Sequence, residues 1–210
     1  MKLIVISHSN TKDCLDMDKR RKIDVTDQLH GRMYPRFHFR ADDIALIESS
    51  VPIALKEKTL ESANAVVQRS FSFRNIAAHT FAGDIDWSFV PKGNISWHWD
   101  LNRHHFFLDL AKAYYYTGNE TYLNALIELW DSWMRQNPPG KIITWRYSFG
   151  VAARLQNWIW GFFLLLYSGK ASEALLHDIV KSMRDHADYL YWNLEYSWSN
   201  NHLLLESKAM

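Results

Sequence analysis

The chain has 210 residues, 48% hydrophobic and 22% charged, enough to bury one sizeable core. A formal net charge of +1 excludes the broad basic footprint of a nucleic-acid binder, and a lone cysteine, Cys14, excludes an internal disulfide framework or a Cys-rich zinc module. Aromatic residues reach 15% of the chain, with ten Trp, ten Tyr and eleven Phe. Most are expected in a core and a minority along a groove, where flat rings can stack on ligands.

Residues 1–50 read as irregular. The apolar run Leu3-Ile4-Val5-Ile6 suggests a short strand. It is too short for a signal-peptide core and lacks a small-residue cleavage site, so the compartment stays open. Acids alternate with bases over residues 12–22, the pattern of a solvated face. A helix is expected over residues 54–70, running into the strand-like Phe71-Ser72-Phe73, and residues 80–96 are loop-rich around Gly83, Pro91 and Gly93. This front part, residues 1–70, reads as a segment of mixed short elements before a helical domain over residues 71–210.

Helical periodicity dominates from there on. Residues 101–116 carry apolar positions at helical spacing and stop at Thr117-Gly118. Asn119 can cap a second helix, Glu120–Gln136, whose Tyr122, Leu126, Leu129, Trp130 and Trp133 form one stripe before Asn137-Pro138-Pro139-Gly140 ends it. A third helix is expected over residues 148–167, ending at Ser168-Gly169. Its apolar stretch from Trp158 to Tyr167 is too short to cross a bilayer and reads as buried. Ser172 opens a fourth helix reaching about Asn193, and a fifth begins near Asn200. Long helices joined by short turns predict stacked antiparallel pairs, in a bundle, a solenoid or an α/α toroid. The fifth has no partner in sequence and Lys208-Ala209-Met210 carries no stop signal, so the helical domain is expected to be truncated here.

Three clusters could carry chemistry. Trp97-His98-Trp99-Asp100-Leu101-Asn102-Arg103-His104-His105 surrounds a helix start, where Asp100 or Asn102 is either a cap or part of a sugar-binding rim. In the latter reading Arg103 is available to a carboxylate or sulfate. Adjacent His104 and His105 diverge on a helix, which argues against a joint metal site. In the second cluster, Thr144-Trp145-Arg146 precedes Arg154-Leu155-Gln156-Asn157-Trp158. Arg154 sits on a helix of Val151, Leu155, Ile159 and Phe162 and needs an anionic partner or acceptors, with a protein carboxylate favoured. The third is Ser197-Trp198-Ser199-Asn200-Asn201-His202-Leu203-Leu204-Leu205-Glu206. Asn200 can cap the helix, and the second amide and imidazole at a helix N-terminus also make an anion-binding point. Such donors could hold a carboxylate and stabilise the charge that grows as its α-proton leaves.

In order along the chain these landmarks resemble the heparinase II/III family, particularly heparinase III-like and related alginate lyases. The resemblance runs from Asp84-Ile85-Asp86-Trp87 through Trp97, Leu101-Asn102-Arg103-His104, Ala113-Tyr114, Thr117-Gly118-Asn119-Glu120-Thr121-Tyr122, Trp130, Trp133, Asn137-Pro138, Trp145 and Arg154. It closes on Asn201-His202-Leu203-Leu204-Leu205-Glu206, similar to the family's Asn-His-Leu-Leu-x-Glu. It implies an all-α, incomplete α/α toroid of antiparallel helix hairpins, followed in the family by a β-sandwich that shares the substrate cleft. The implied activity is β-elimination at a 4-linked uronate of an acidic polysaccharide, heparan sulfate-like or alginate, with no cofactor in this segment and no nucleic-acid or membrane partner. The remainder of the polypeptide would complete the cleft, and family members are commonly periplasmic or secreted. Asn201 matches the family's carboxylate-neutralising Asn, and His202 its neighbour. Trp97, Asn102, Arg103, His104, Trp145, Arg154, Asn200 and Glu206 are the implied substrate contacts.

The family's Tyr base lies beyond its Asn, so Tyr189, Tyr191 and Tyr196 are not substituted for it, and this chain alone is expected to be inactive. Gly150 stands before Val151 where many relatives carry Glu, which loosens the carry-over around residues 145–154. Two other readings are a non-catalytic carbohydrate-binding member of the superfamily and an inverting glycosidase, for which Asp100 and Glu206 are the candidate carboxylates.

Overall fold

Helix signals in the sequence become working caps in the computed structural model, which describes residues 41–74, 76–196 and 201–209. The Asn94 side chain accepts from Trp97 N, Asn119 from Thr121 N and Ser172 from Leu175 N. Each satisfies a backbone donor that the helix start leaves unpaired. The strand expected at residues 3–6, the charged run at 12–22, Cys14 and Asn200 lie outside the described residues.

Among the described residues the chain is all-α apart from one two-residue ladder. Helices α1 (Ile44–Ser50) and α2 (Ile53–Val67) come first. Strands β1 (Ser70–Phe71) and β2 (His79–Thr80) pair antiparallel, with Ser70 opposite Thr80 and Phe71 opposite His79. Then follow α3 (Ile95–Arg103), α4 (His105–Thr117), α5 (Glu120–Gln136), a short α6 (Ile142–Trp145), α7 (Ser148–Ser168), α8 (Glu173–Trp192) and α9 (Asn201–Ala209). The hairpins α4–α5 and α7–α8 turn on Gly118 and Gly169, both left-handed, at φ 69° and 64°.

Two helices organise the packing. Helix α4 lies against α2, α5 and α7, and α7 lies against α3, α8 and α9. Because α2 packs on both α4 and α5, residues 53–67 belong with the helices that follow. All described residues fall in one compact unit, Arg36–Met210, so packing does not change at the boundary expected near residue 70. Helix α7 is long and apolar enough to cross a membrane by length and composition, but Val151, Leu155, Trp158, Phe162 and Leu165 are buried within the fold.

The core is unusually rich in indoles. Trp87, Trp97, Trp130, Trp133, Trp145 and Trp158 are all essentially inaccessible. Gly161 lets the Trp130 ring lie against α7, since a Cβ there would sit 3.3 Å from Trp130 Cη2. The helix expected over residues 101–116 is broken. His104 adopts φ 59° and ψ 35°, ending α3 and starting α4 in a new direction. Histidine tolerates this region better than most residues, at a cost of order 1 kcal/mol.

Gly118→Ala tests the turn chemistry. An added Cβ would meet nothing within 4 Å, so only backbone strain opposes it. The expected loss is about 1 kcal/mol, read as a lower urea midpoint at constant slope. An unchanged midpoint would show that the left-handed turn carries no strain for a side chain.

Candidate functional site

A groove of about 490 Å³ opens where α3, the α6–α7 connection, the start of α7, the link after α8 and α9 converge. Helix α3 supplies His98, Trp99, Asn102 and Arg103, which sit at i, i+4 pairs and so share one face. Tyr147, Phe149 and Arg154 come from the α7 side, Glu195 from the link and His202 from the first turn of α9.

The groove has aromatic walls. Trp99 and Tyr147 meet edge to face with centroids 5.1 Å apart, and the Arg103 guanidinium lies 4.9 Å over the Phe149 ring. Rings beside cations suit a ligand with flat apolar faces and anionic substituents. Arg103 also donates to Asp100 Oδ1 at 2.7 Å, and Arg74 pairs with the same carboxylate. Asp100 is thus shared between two guanidiniums and is a poor candidate for a free catalytic acid.

Arg154 is buried beneath the groove, 1% exposed. It donates from Nε to His186 Nε2 at 2.8 Å, from Nη1 to the Asn102 carbonyl at 2.9 Å and from Nη2 to the Thr144 carbonyl at 3.2 Å. Its guanidinium lies 4.3 Å from the centroid of Trp133 and 5.6 Å from that of Trp145. The protein carboxylate favoured as its partner is absent from these contacts; carbonyls, an imidazole and ring faces take that place. Burial lowers the Arg154 pKa to about 9, which still leaves it charged at neutral pH.

Two further rings are held neutral by the same interior. His186 donates from Nδ1 to Ser182 O at 2.6 Å, which leaves Nε2 to accept from Arg154. His104 Nδ1 accepts from Trp158 Nε1 at 2.8 Å, and its ring stacks on Phe107 at 4.4 Å and meets Trp87 edge-on at 5.0 Å. Burial foremost, and then the Arg154 charge, push both imidazoles well below the ordinary histidine range. With folded values depressed, their stability contribution is complete above about pH 6.5 and is lost as pH falls below it, because only the unfolded chain takes up protons. Each ring should cost about 1.4 kcal/mol per pH unit in that window. Urea midpoints at neutral and mildly acidic pH measure this, and equal midpoints would contradict it.

The groove thus gathers Asn102, Arg103, Arg154 and His202 from among the expected contacts. The Asn102 amide is already committed to the fold. Its oxygen accepts from Trp133 Nε1 at 3.0 Å, and its nitrogen donates to the Trp87 and His98 carbonyls, each at 3.0 Å. Trp97, His104, Trp145 and Glu206 lie inside, not on the groove surface, at 0%, 0%, 2% and 0% exposure. Trp97 packs on Phe73 and Phe89, Trp145 donates to the Asn137 carbonyl, and Glu206 accepts from Glu195 N. Asn201 is exposed at the first position of α9. Trp99, Tyr147, Phe149 and Glu195 also line the groove. Trp99 lay in the first sequence cluster without being an implied contact, which its i, i+4 pairing with Arg103 could have suggested; the other three were not singled out. Among the described residues, no three His, Cys, Asp or Glu side chains come together to hold a metal ion.

Comparison with known proteins gives a consistent set of matches. The family described as heparinase II/III N-terminus matches residues 18–210. The chain is 27% identical over 151 residues to a heparin-sulfate lyase of Bacteroides stercoris, covering 62% of this chain and 22% of that protein. It is 29% identical over 133 residues to a heparin-sulfate lyase of Pedobacter heparinus, covering 61% and 20%. Among solved structures, heparan sulfate lyase HepC from Pedobacter heparinus superposes with a TM-score of 0.67 at 22% identity, over 80% of this chain and 29% of that one. The heparinase III BT4657 gene product gives a TM-score of 0.72 at 20% identity, over 88% and 30%. These structural likenesses show a shared helical fold. The chain spans about a fifth of the length of the two curated relatives.

Proposed function

The chain belongs to the heparinase II/III family, and on that footing we propose that it forms the uronate-binding part of a polysaccharide lyase that cleaves a heparan sulfate-like chain by β-elimination. The observation that carries this reading is the groove itself. The Arg103 guanidinium and the His202 imidazole line it over the buried Arg154, beside the exposed ring of Tyr147 and the half-buried ring of Trp99. Such a site takes a polyanionic sugar by charge and by stacking.

In the proposed mechanism Asn201 and His202 engage the uronate carboxylate at the start of α9. Neutralising that carboxylate acidifies the α-carbon proton, and the donors stabilise the enolate-like charge as the proton leaves. The electron pair then forms the ring double bond and expels the glycosidic oxygen at the β-position. Arg103 and the aromatic walls hold the neighbouring sugar in register. A base from elsewhere in the full-length lyase takes the proton, and the expelled oxygen leaves as a hydroxyl by taking one up from an acid there or from water.

Release of unsaturated uronate from heparan sulfate, followed by its ultraviolet absorbance in the full-length protein, tests the reading. Alginate serves as the second substrate and separates sulfated from unsulfated uronate preference. Arg103→Ala should raise KM about tenfold while changing kcat little, the scale of one charge-assisted hydrogen bond. No double-bond formation from any uronate polymer would overturn the lyase assignment.

A further inference from the structure

We propose that Glu195 is the positioning residue for His202, a carboxylate–imidazole pair that fixes which ring nitrogen meets the substrate. Its role in turnover rests on the lyase reading above; its geometry does not. Glu195 Oε2 lies 2.8 Å from His202 Nδ1. An ionised carboxylate only accepts, so Nδ1 carries the proton and Nε2 is left as the basic nitrogen of the neutral ring. One face of the ring is braced by Phe149, with centroids 4.5 Å apart.

The support for Glu195 is itself built. It sits in the link between α8 and α9, where no helix fixes its side chain. Its backbone N–H donates at 2.8 Å to Oε2 of Glu206, which is fully buried one turn along α9 from His202. Glu206 therefore folds the link back onto α9 by its main chain, and Glu195 uses that position to hold the ring. Charge makes the same point. Among the described residues lining the groove, Glu195 is the one carboxylate, beside Arg103 and the buried Arg154. A bare carboxylate there would repel an anionic sugar, whereas one committed to an imidazole N–H presents less free charge. Carboxylates that orient metal-bound histidines matter by about tenfold to a hundredfold, and the same scale is expected here.

Nitrogen NMR of the ring in the chain labelled at histidine reads the tautomer directly, without any variant. The expected spectrum has His202 protonated at Nδ1 and bare at Nε2, and a ring protonated at Nε2 alone would overturn the pair. In Glu195→Ala the proton should move to Nε2, the position free histidine prefers. In the full-length lyase the same variant should lower kcat about tenfold or more with KM changed less than about twofold. Glu195→Gln, whose amide oxygen still accepts from Nδ1, should keep the tautomer and restore most of kcat. A tautomer that shifts while kcat stays constant would overturn the positioning role and remove His202 from the chemistry. Absent lyase activity in the wild type, with the Nδ1 tautomer intact, would instead count against the function proposed for the groove.

Discussion

Arg154→Met is expected to destabilise the chain by about 3–5 kcal/mol, the largest loss from any single change to the groove. Methionine is close in volume and flexible, so the cavity term is small. What is lost is a staple. The guanidinium ties α7 to the Asn102 carbonyl at the end of α3, to the Thr144 carbonyl of α6 and to His186 of α8. Its removal strands three buried acceptors, at about 1–3 kcal/mol each, against which the relief of one desolvated charge is a partial offset. Arg154→Lys should recover little, because a point ammonium cannot serve three acceptors fixed around a planar fork. Urea unfolding at neutral pH measures both variants. A Met variant as stable as the wild type would mean that the desolvation cost of the charge outweighs its hydrogen bonds.

The second large effect concerns catalysis. On the lyase reading proposed above, Asn201→Ala in the full-length protein should lower kcat about 100- to 1000-fold with little change in KM, the scale of removing one donor aimed at a developing oxyanion. The amide acts on charge that grows only as the α-proton departs, so ground-state binding should barely notice its loss. Steady-state kinetics on heparan sulfate decide the matter, and an unchanged kcat would take Asn201 out of the mechanism. Because Asn201 is exposed at a helix start, a folding defect would not confuse the result.

Much of the helical layout was legible because its signals are local. Asn119 and Ser172 cap, Gly118 and Gly169 stop, and the stripe of α5 repeats at helical spacing, so Glu120–Gln136 fell where expected. The break at His104 was not legible. Nothing in the run from Trp97 to His105 announces a positive φ, and the aromatic cage that rewards it comes from α4, α5 and α7. That same break turned His104 inward, and residue type alone could not tell it from the groove-lining Trp99 and Arg103. Trp97 and Trp145 misled in a similar way, since an indole suits both a sugar face and a core. The partners of Arg154 were hidden because two are main-chain carbonyls, which any residue can supply. Glu195 stayed invisible because its meaning depends on a link folding back to α9, a tertiary fact with no spacing to betray it.

A buried cation with no carboxylate among its described contacts has a consequence for how the fold meets salt. Dissolved salt weakens exposed charges by crowding around them, within a Debye length of about 8 Å at physiological ionic strength. Mobile ions cannot crowd a guanidinium sealed beneath Asn102 and Thr144, so the hold of Arg154 on those two carbonyls should persist in brine that silences ordinary surface ion pairs.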